Sequence, residues 1–366
     1  MTVLYEFIDR DSALADMSVA LADAAVIAVD TEFMRTDTFY PIPALLQLSD
    51  GVKVYLVDPL AIDNWQALNA LLTNPGVYKV MHSVSEDMEV FQRLLGLVPQ
   101  PLLDTQVGAA LAGLDSGMGY QRLVAEILGE EVDKGETRSD WLQRPLSESQ
   151  CLYAALDVVH LLPVYRSLQA RLEKQGRFKW WLEEGDRQVR SSVALPPERY
   201  YQRVKSAWKL SPPEQARLKA LCTWRETEAR ERNVPRGRIV KDAMCIDIVR
   251  RQPESPADLA RLKGMNPSIV RRFSEAICEA IRNAPALTEA ERLLPPPAGE
   301  QREQAKVLKK RVDEISEALA ISRDVLMSKK VLEETVHLQA LPSESEGWRS
   351  TVLASVLNDV FDKGEA

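Results

Sequence analysis

AVDTEF, residues 28–33, closes an apolar run that begins at Val26, and it sets two carboxylates, Asp30 and Glu32, one residue apart. The run VIAVDTEF reads as a β-strand. A strand sends successive side chains to opposite faces, so Asp30 and Glu32 share one face while Thr31 and Phe33 take the other. Like charges side by side on a sheet repel each other unless something positive lies between them. Taken alone, DTE after a strand is equally compatible with a loop-entry turn, so the pair acquires meaning only through partners elsewhere in the chain.

Outward from this strand, ALLQLSDG (44–51) and KVYLVDPL (53–60) read as two neighbouring strands with SDG as the turn between them. A helix around 65–72, a short strand VYKVMH (77–82) and a helix SEDMEVFQRLLG (85–96) ending on Gly96 follow, then helices near 104–113, 119–128 and 147–173. This mixture predicts one α/β domain over residues 1–190. Residues 191–208 form a proline-containing connector with aromatic anchors. Residues 209–290 open with SPPEQ, which places Pro in a first helical turn, and continue as a helical bundle with segments near 239–251, 255–263 and 266–284. LLPPPAGEQ marks a stiff linker over 291–300, and 301–366 is again helical.

The 366 residues are 45% hydrophobic, ample for ordinary cores. No apolar run is long enough to span a bilayer, and the start of the sequence carries acids where a targeting peptide has a basic region. A soluble cytoplasmic protein is expected, with nothing demanding more than a monomer. Cys151, Cys222, Cys245 and Cys278 fall in predicted helices without CxxC spacing and read as buried thiols. The net charge of −8 is unevenly divided: residues 1–190 hold 16 Lys+Arg against 28 Asp+Glu, whereas 205–290 hold 17 against 11. Contact with a polyanion is thereby delegated to the middle segment.

Two more places carry acids where a core would not choose them. Asp87 falls in the first turn of the helix after VYKVMH, a position the helix dipole alone also favours. In QCLYAALDVVHLL, Tyr153 and Asp157 stand four apart on one helix face, at the border of the apolar stripe, where an ordinary i,i+4 pair would also stand. The ordered combination of strand DxE, helix-start Asp and later helix YxxxD is far less ordinary than its parts.

DTEF (30–33), SEDMEVF (85–91) and YAALD (153–157) resemble the three exonuclease motifs of the DEDD superfamily in its tyrosine-containing branch. The longer stretches VDTEFMRTDTFYPIPALLQLSDG, HSVSEDMEVFQRLLG and DKGETRSDWLQRPLSESQCLYAALDV are similar to the bacterial ribonuclease D family. NVPRGRIVKDAMCIDIVRR with LKGM resembles its first HRDC helical domain. The resemblance implies a ribonuclease H-like mixed sheet flanked by helices over 1–190, a first HRDC domain over 209–290 and, by position and class, a second HRDC-like domain over 301–366. It also implies 3′–5′ exonucleolytic hydrolysis of RNA to nucleoside 5′-monophosphates, with precursors of transfer RNA and other small structured RNAs as substrates.

Within that reading, Asp30, Glu32, Asp87 and Asp157 share two divalent ions. Hard Mg²⁺ or Mn²⁺ suits carboxylate oxygen, and two such ions roughly 4 Å apart would activate water and hold the leaving 3′ oxygen. Tyr153, with an ordinary pKa of about 10, is assigned to positioning the attacking water. Candidate substrate contacts are Phe33 and Met34 beside the acids, His82, and Lys134, Arg138 and Trp141 in the charged loop, which a solvated loop with a packed Trp would match equally. Arg236, Arg238 and Lys241 of the basic segment are candidates for backbone contact, against the alternative of a solvated bundle face. The alternative functions are a 3′–5′ DNA exonuclease, served by the same four acids, and an RNA-binding scaffold that has lost activity.

Overall fold

The computed structural model describes residues 3–132, 135–136 and 139–361. Lys134 and Arg138 lie outside the described residues. The chain forms two compact units. One is made from residues 1–34, 41–193 and 297–366, the other from 35–40 and 194–296.

The first unit is built on a six-stranded mixed sheet: β1 (Tyr5–Ile8), β2 (Val26–Met34), β3 (Ile42–Ser49), β4 (Val54–Val57), β5 (Tyr78–Met81) and β6 (Leu102–Asp104), in spatial order β1-β4-β3-β2-β5-β6. β3 is antiparallel to both β2 and β4, while β5 runs parallel to β2 and β6 parallel to β5. The three strands expected around AVDTEF are therefore neighbours, with β2 central. β1 and β6 were not expected from sequence; they have four and three residues and lie at the two edges of the sheet, each held by one parallel partner.

Alternation along the sheet separates two apolar layers. Ile27, Val29, Leu46, Leu48 and Val57 face one side, packed with α1 (Asp11–Leu21), α2 (Gln66–Thr73) and α3 (Ser85–Leu95). Ala28, Leu45, Val54, Leu56 and Val80 face the other, roofed by α4 (Thr105–Leu111), α5 (Tyr120–Leu128), α6 (Glu148–Val159), α7 (Leu161–Lys174) and α8 (Phe178–Ser191). The single helix expected over 147–173 is two. Pro163 stands in the first turn of α7, and its missing N–H cannot bond the carbonyl of Val159, so the helix breaks at His160. α8 lies so close to β6 that a Cβ on Gly185 would stand 1.9 Å from the Leu102 carbonyl oxygen.

The second unit contains α9 (Pro212–Glu231), α10 (Arg236–Ile239), α11 (Asp242–Arg251), α12 (Pro256–Ala260) and α13 (Pro267–Arg282). The Ser211–Glu214 capping box opens α9, with Pro212 in the first turn. Phe39, Tyr201, Leu218, Leu221, Ile248 and Ile277 lie in its core. All four cysteines are buried and free.

The last helices, α14 (Glu300–Leu319), α15 (Arg323–Leu326), α16 (Lys329–Leu338) and α17 (Trp348–Phe361), belong to the first unit. Leu308, Val312, Trp348 and Leu353 join the same apolar cluster as the sheet and α6–α8. Trp348 stacks on Trp180 with ring centroids 4.4 Å apart, and its Nε1 donates to Glu184. Glu184, buried on α8, also accepts from Arg349 and Arg187. Arg177 donates to the carbonyls of Leu111 and Leu319 at 2.9 and 2.6 Å, tying α4 to α14.

Candidate active site

β2 pairs with β3 in a register that sets Asp30 opposite Gln47 and Glu32 opposite Leu45, then shifts between Glu32 and Phe33. Both acids thus leave the sheet on the α6 side, and the irregularity redirects the strand immediately after them. Asp30 and Glu32 are half-buried.

Asp87 comes from the first turn of α3 and is 8% exposed. Thr31, alternating to the other face of β2, donates its hydroxyl to Asp87 Oδ1. The entry to α3 is held by Asp104, the N-cap of α4, which accepts from the backbone N–H groups of Ser83, Val84 and Gln106. That grip secures Ser83 at φ 58°, a left-handed conformation uncommon for a residue with a Cβ.

Asp157 and Tyr153 come from α6. Ser147 and Gln150 close a capping box at its start, and Gln150 Nε2 reaches back to the carbonyl of Asp140. Asp157 is 8% exposed, and the Tyr153 hydroxyl hydrogen-bonds its carboxylate. Trp141, 2% exposed, packs its ring 6.0 Å from that of Tyr153. The segment carrying Trp141 is pinned by Arg144, which forks onto Asp58 and donates to the carbonyls of Ala44 and Trp141.

The four acids repel one another. Burial, followed by the charges of Asp87, Asp157 and Glu32, holds the Asp30 carboxyl well above the usual range. Glu32 is pushed up to about 9 by burial and then by Asp157 and Asp87. Burial raises Asp87 to about 6 against the opposing bond from Thr31, and Asp157 to about 7 against the bond from Tyr153. Four oxygen-bearing acids in mutual repulsion are the donor set a hard cation would relieve. As the side chains lie, no group of three or more His, Cys, Asp or Glu among the described residues closes on one point. Thr31 holds Asp87 Oδ1, which leaves Oδ2 to face a cation.

Two residues beside this cluster escaped the sequence reading. Burial and then the charges of Asp157 and Asp30 hold the Tyr120 phenol well above its usual pKa, and its hydroxyl donates to the Leu156 carbonyl at 3.1 Å. Thr31 is the other. Neither follows a spacing rule; Tyr120 could have been singled out only as the aromatic that opens a helix, GYQRLV.

The remaining predicted contacts divide. Phe33 and Met34 continue β2 just beyond the acids, half-buried. His82 is half-buried, its Nδ1 2.9 Å from the Thr105 hydroxyl and its ring edge-on to Tyr120; burial lowers its pKa. Trp141 corrects the expectation of a base contact: its ring is enclosed and backs Tyr153, so it has no face to offer a base. In the second unit Arg236 is likewise committed, bonded to buried Glu226 and lying over the rings of Phe39 and Tyr200 at 4.5 and 4.4 Å. Arg238 is exposed and pairs with exposed Asp37; Lys241 is exposed at the start of α11. Arg238 and Lys241, with Arg232 and Arg272, line a groove of about 800 Å³ bounded by Phe273 and the turn at Gly264.

Comparison with known proteins gives the following. Residues 5–173 match the family described as 3′–5′ exonuclease, and residues 214–281 match the HRDC domain. The chain is 39% identical to ribonuclease D of Pseudomonas paraeruginosa over 98% of this chain and 97% of that protein. It is 35% identical to ribonuclease D of Escherichia coli over 98% and 99%. The crystal structure of Escherichia coli RNase D, described as an exoribonuclease involved in structured RNA processing, superposes with a TM-score of 0.89 at 34% identity, covering 99% of both chains.

Proposed function

The chain belongs to the ribonuclease D family and is a 3′–5′ exoribonuclease, and from that premise we propose how its residues divide the work. Asp30, Glu32, Asp87 and Asp157 would hold two divalent cations, Mg²⁺ or Mn²⁺. When bound, these supply an activated water and neutralise the charge that develops on the leaving 3′ oxygen. The observation that carries this reading is the gathering of four carboxyl groups from one strand and two helices, with Asp30 and Glu32 both within the field of Asp87 and Asp157.

Tyr153 keeps Asp157 in place through its hydroxyl and presents that hydroxyl to the attacking water. Trp141 supports the Tyr153 ring from behind. Phe33 and Met34 stand where the terminal nucleotides enter. The substrate class is RNA with a single-stranded 3′ end, including precursors of transfer RNA and other small structured RNAs. We take residues 1–190 as the exonuclease domain, 209–290 as a first HRDC domain and 301–366 as a second, HRDC-like helical segment that packs within the first unit. Lys241 and Arg238 contact RNA backbone from the first of these; Arg236 serves its own domain's packing.

The test is digestion of matched 5′-labelled RNA and DNA oligonucleotides with Mg²⁺, Mn²⁺ or EDTA, beside Asp30→Ala. A cation-dependent ladder shrinking from the 3′ end of RNA, absent in the variant, is expected. Digestion unaffected by EDTA or by Asp30→Ala would overturn the assignment.

A further inference from the structure

β3 buries a carboxamide, Gln47, on the face that also bears Asp30 and Glu32 of β2. Gln47 is 0% exposed, and neither its Nε2 nor its Oε1 has a hydrogen-bond partner. Among the described residues it alone has both polar side-chain atoms buried and orphaned. Its cross-strand neighbours are Asp30 on β2 and Leu56 on β4. Directly opposed residues share a face, so the carboxamide lies on the α6 side, in the layer of Ala28, Leu56, Ala154 and Val158, next to the Asp30 side chain.

An unmet amide donor and acceptor in such a layer is destabilising, and Leu or Met would fill the same space without that cost. The carboxamide therefore answers to something other than packing. The residue directly opposed to it on β2 is Asp30.

We propose that Gln47 is a positioning residue for Asp30: its Nε2–H donates to one carboxylate oxygen when Asp30 takes a divalent cation, fixing the other oxygen toward the cation. The inference rests on Asp30 being a cation ligand, as read above. Residues that hydrogen-bond a ligand in this way set its orientation and tune its affinity.

The test uses the full-length chain with ¹⁵N-labelled glutamine side chains, titrated with Mg²⁺ and followed by NMR, the Gln47 signal being identified by its loss in Gln47→Leu. A cation-dependent shift of the Gln47 amide protons is expected. In parallel, calorimetric Mn²⁺ titration of Gln47→Leu and Gln47→Met is expected to show affinity about 10- to 100-fold weaker than wild type. Their thermal midpoints without cation should equal or exceed the wild-type value. A purely structural role predicts the reverse, lowered midpoints with unchanged affinity, and that result would overturn the proposal. If the wild type binds cation while its Gln47 signal stays still, this inference alone fails. If the wild type binds none, the reading of the four acids fails with it.

Discussion

At the scale of single residues, the acids and Tyr153 were legible because they carry chemistry no core would choose, at spacings that strand and helix geometry turn toward one place. What supports them was not. Thr31 on Asp87, Trp141 behind Tyr153 and Arg144 on Asp58 are contacts across 56, 12 and 86 residues, which no local pattern encodes. Arg236 shows the converse. Charge suggested an RNA contact, but a guanidinium over two rings and a buried glutamate is better spent on packing. Two predictions belong here. Asp157→Ala should abolish turnover and cation binding together, whereas Tyr153→Phe should lower kcat by about 10- to 100-fold while calorimetry finds cation binding retained, weakened far less than in Asp157→Ala. Equal loss of affinity in both would refute the division of roles. The second concerns pH. Carboxyl groups raised above their unfolded values oppose folding progressively as pH climbs from the ordinary carboxyl range through the raised values, about 6 for Asp87, about 7 for Asp157 and about 9 for Glu32. With EDTA present, the thermal midpoint should therefore fall from pH 5 to pH 8. Asp30→Asn should recover several degrees at pH 8 and be inactive.

At the scale of elements, strands with a clear apolar period and helices with caps were readable: β2–β5, the Gly96 terminus of α3 and the Ser211 cap of α9. The break at His160 was also written in the sequence, as Pro163, but a continuous apolar face hid it. The short strands β1 and β6 acquire their identity from parallel partners, β4 and β5, that lie far away in sequence. The meeting of α8 with β6 depends on Gly185 lacking a side chain. Gly185→Ala should force the helix off the strand and destabilise the first unit by about 2–4 kcal/mol, read by urea denaturation. A change below about 0.5 kcal/mol would mean that the helix sits more loosely on the strand than described. In the second unit, the groove beneath α13 gives a comparison between cations. Substituting Lys241 and Arg272 with Gln should weaken RNA binding and reduce its salt slope, by about one for each phosphate that is no longer neutralised. Arg236→Gln should act mainly by lowering the unit's thermal midpoint.

At the scale of the molecule, composition and periodicity announced an α/β body followed by helical additions, with a basic middle. They gave no sign that residues 297–366 pack with the sheet-bearing unit, since the groups that join them, a shared apolar cluster, buried polar side chains and stacked rings, are brought together across long separations. Glu184 is the centre of these. Burial would raise its pKa, yet Arg349 and Arg187 hold it below the ordinary carboxylate range. Its stabilising contribution is thus present above its unfolded pKa and lost as pH falls through the lowered folded value. The Trp180–Trp348 stack should come apart on acidification below about pH 4, visible in near-ultraviolet dichroism. Glu184→Gln should release it at neutral pH by leaving Arg349 buried without its charge partner, at a cost of about 3–5 kcal/mol. A stack that persists in the variant would show that the rings alone hold the helices.

That arrangement has a bearing on synthesis. During translation all four acids, Asp30 to Asp157, leave the ribosome well before Trp348 and Leu353 exist. At about 5–20 residues per second the interval between Asp157 and Trp348 is on the order of 10–40 s. Through that time the nascent nuclease carries its four acids but lacks part of the apolar cluster that its last helices complete. An enzyme that degrades RNA is thus finished late, when most of its chain has already cleared the RNA machine that makes it.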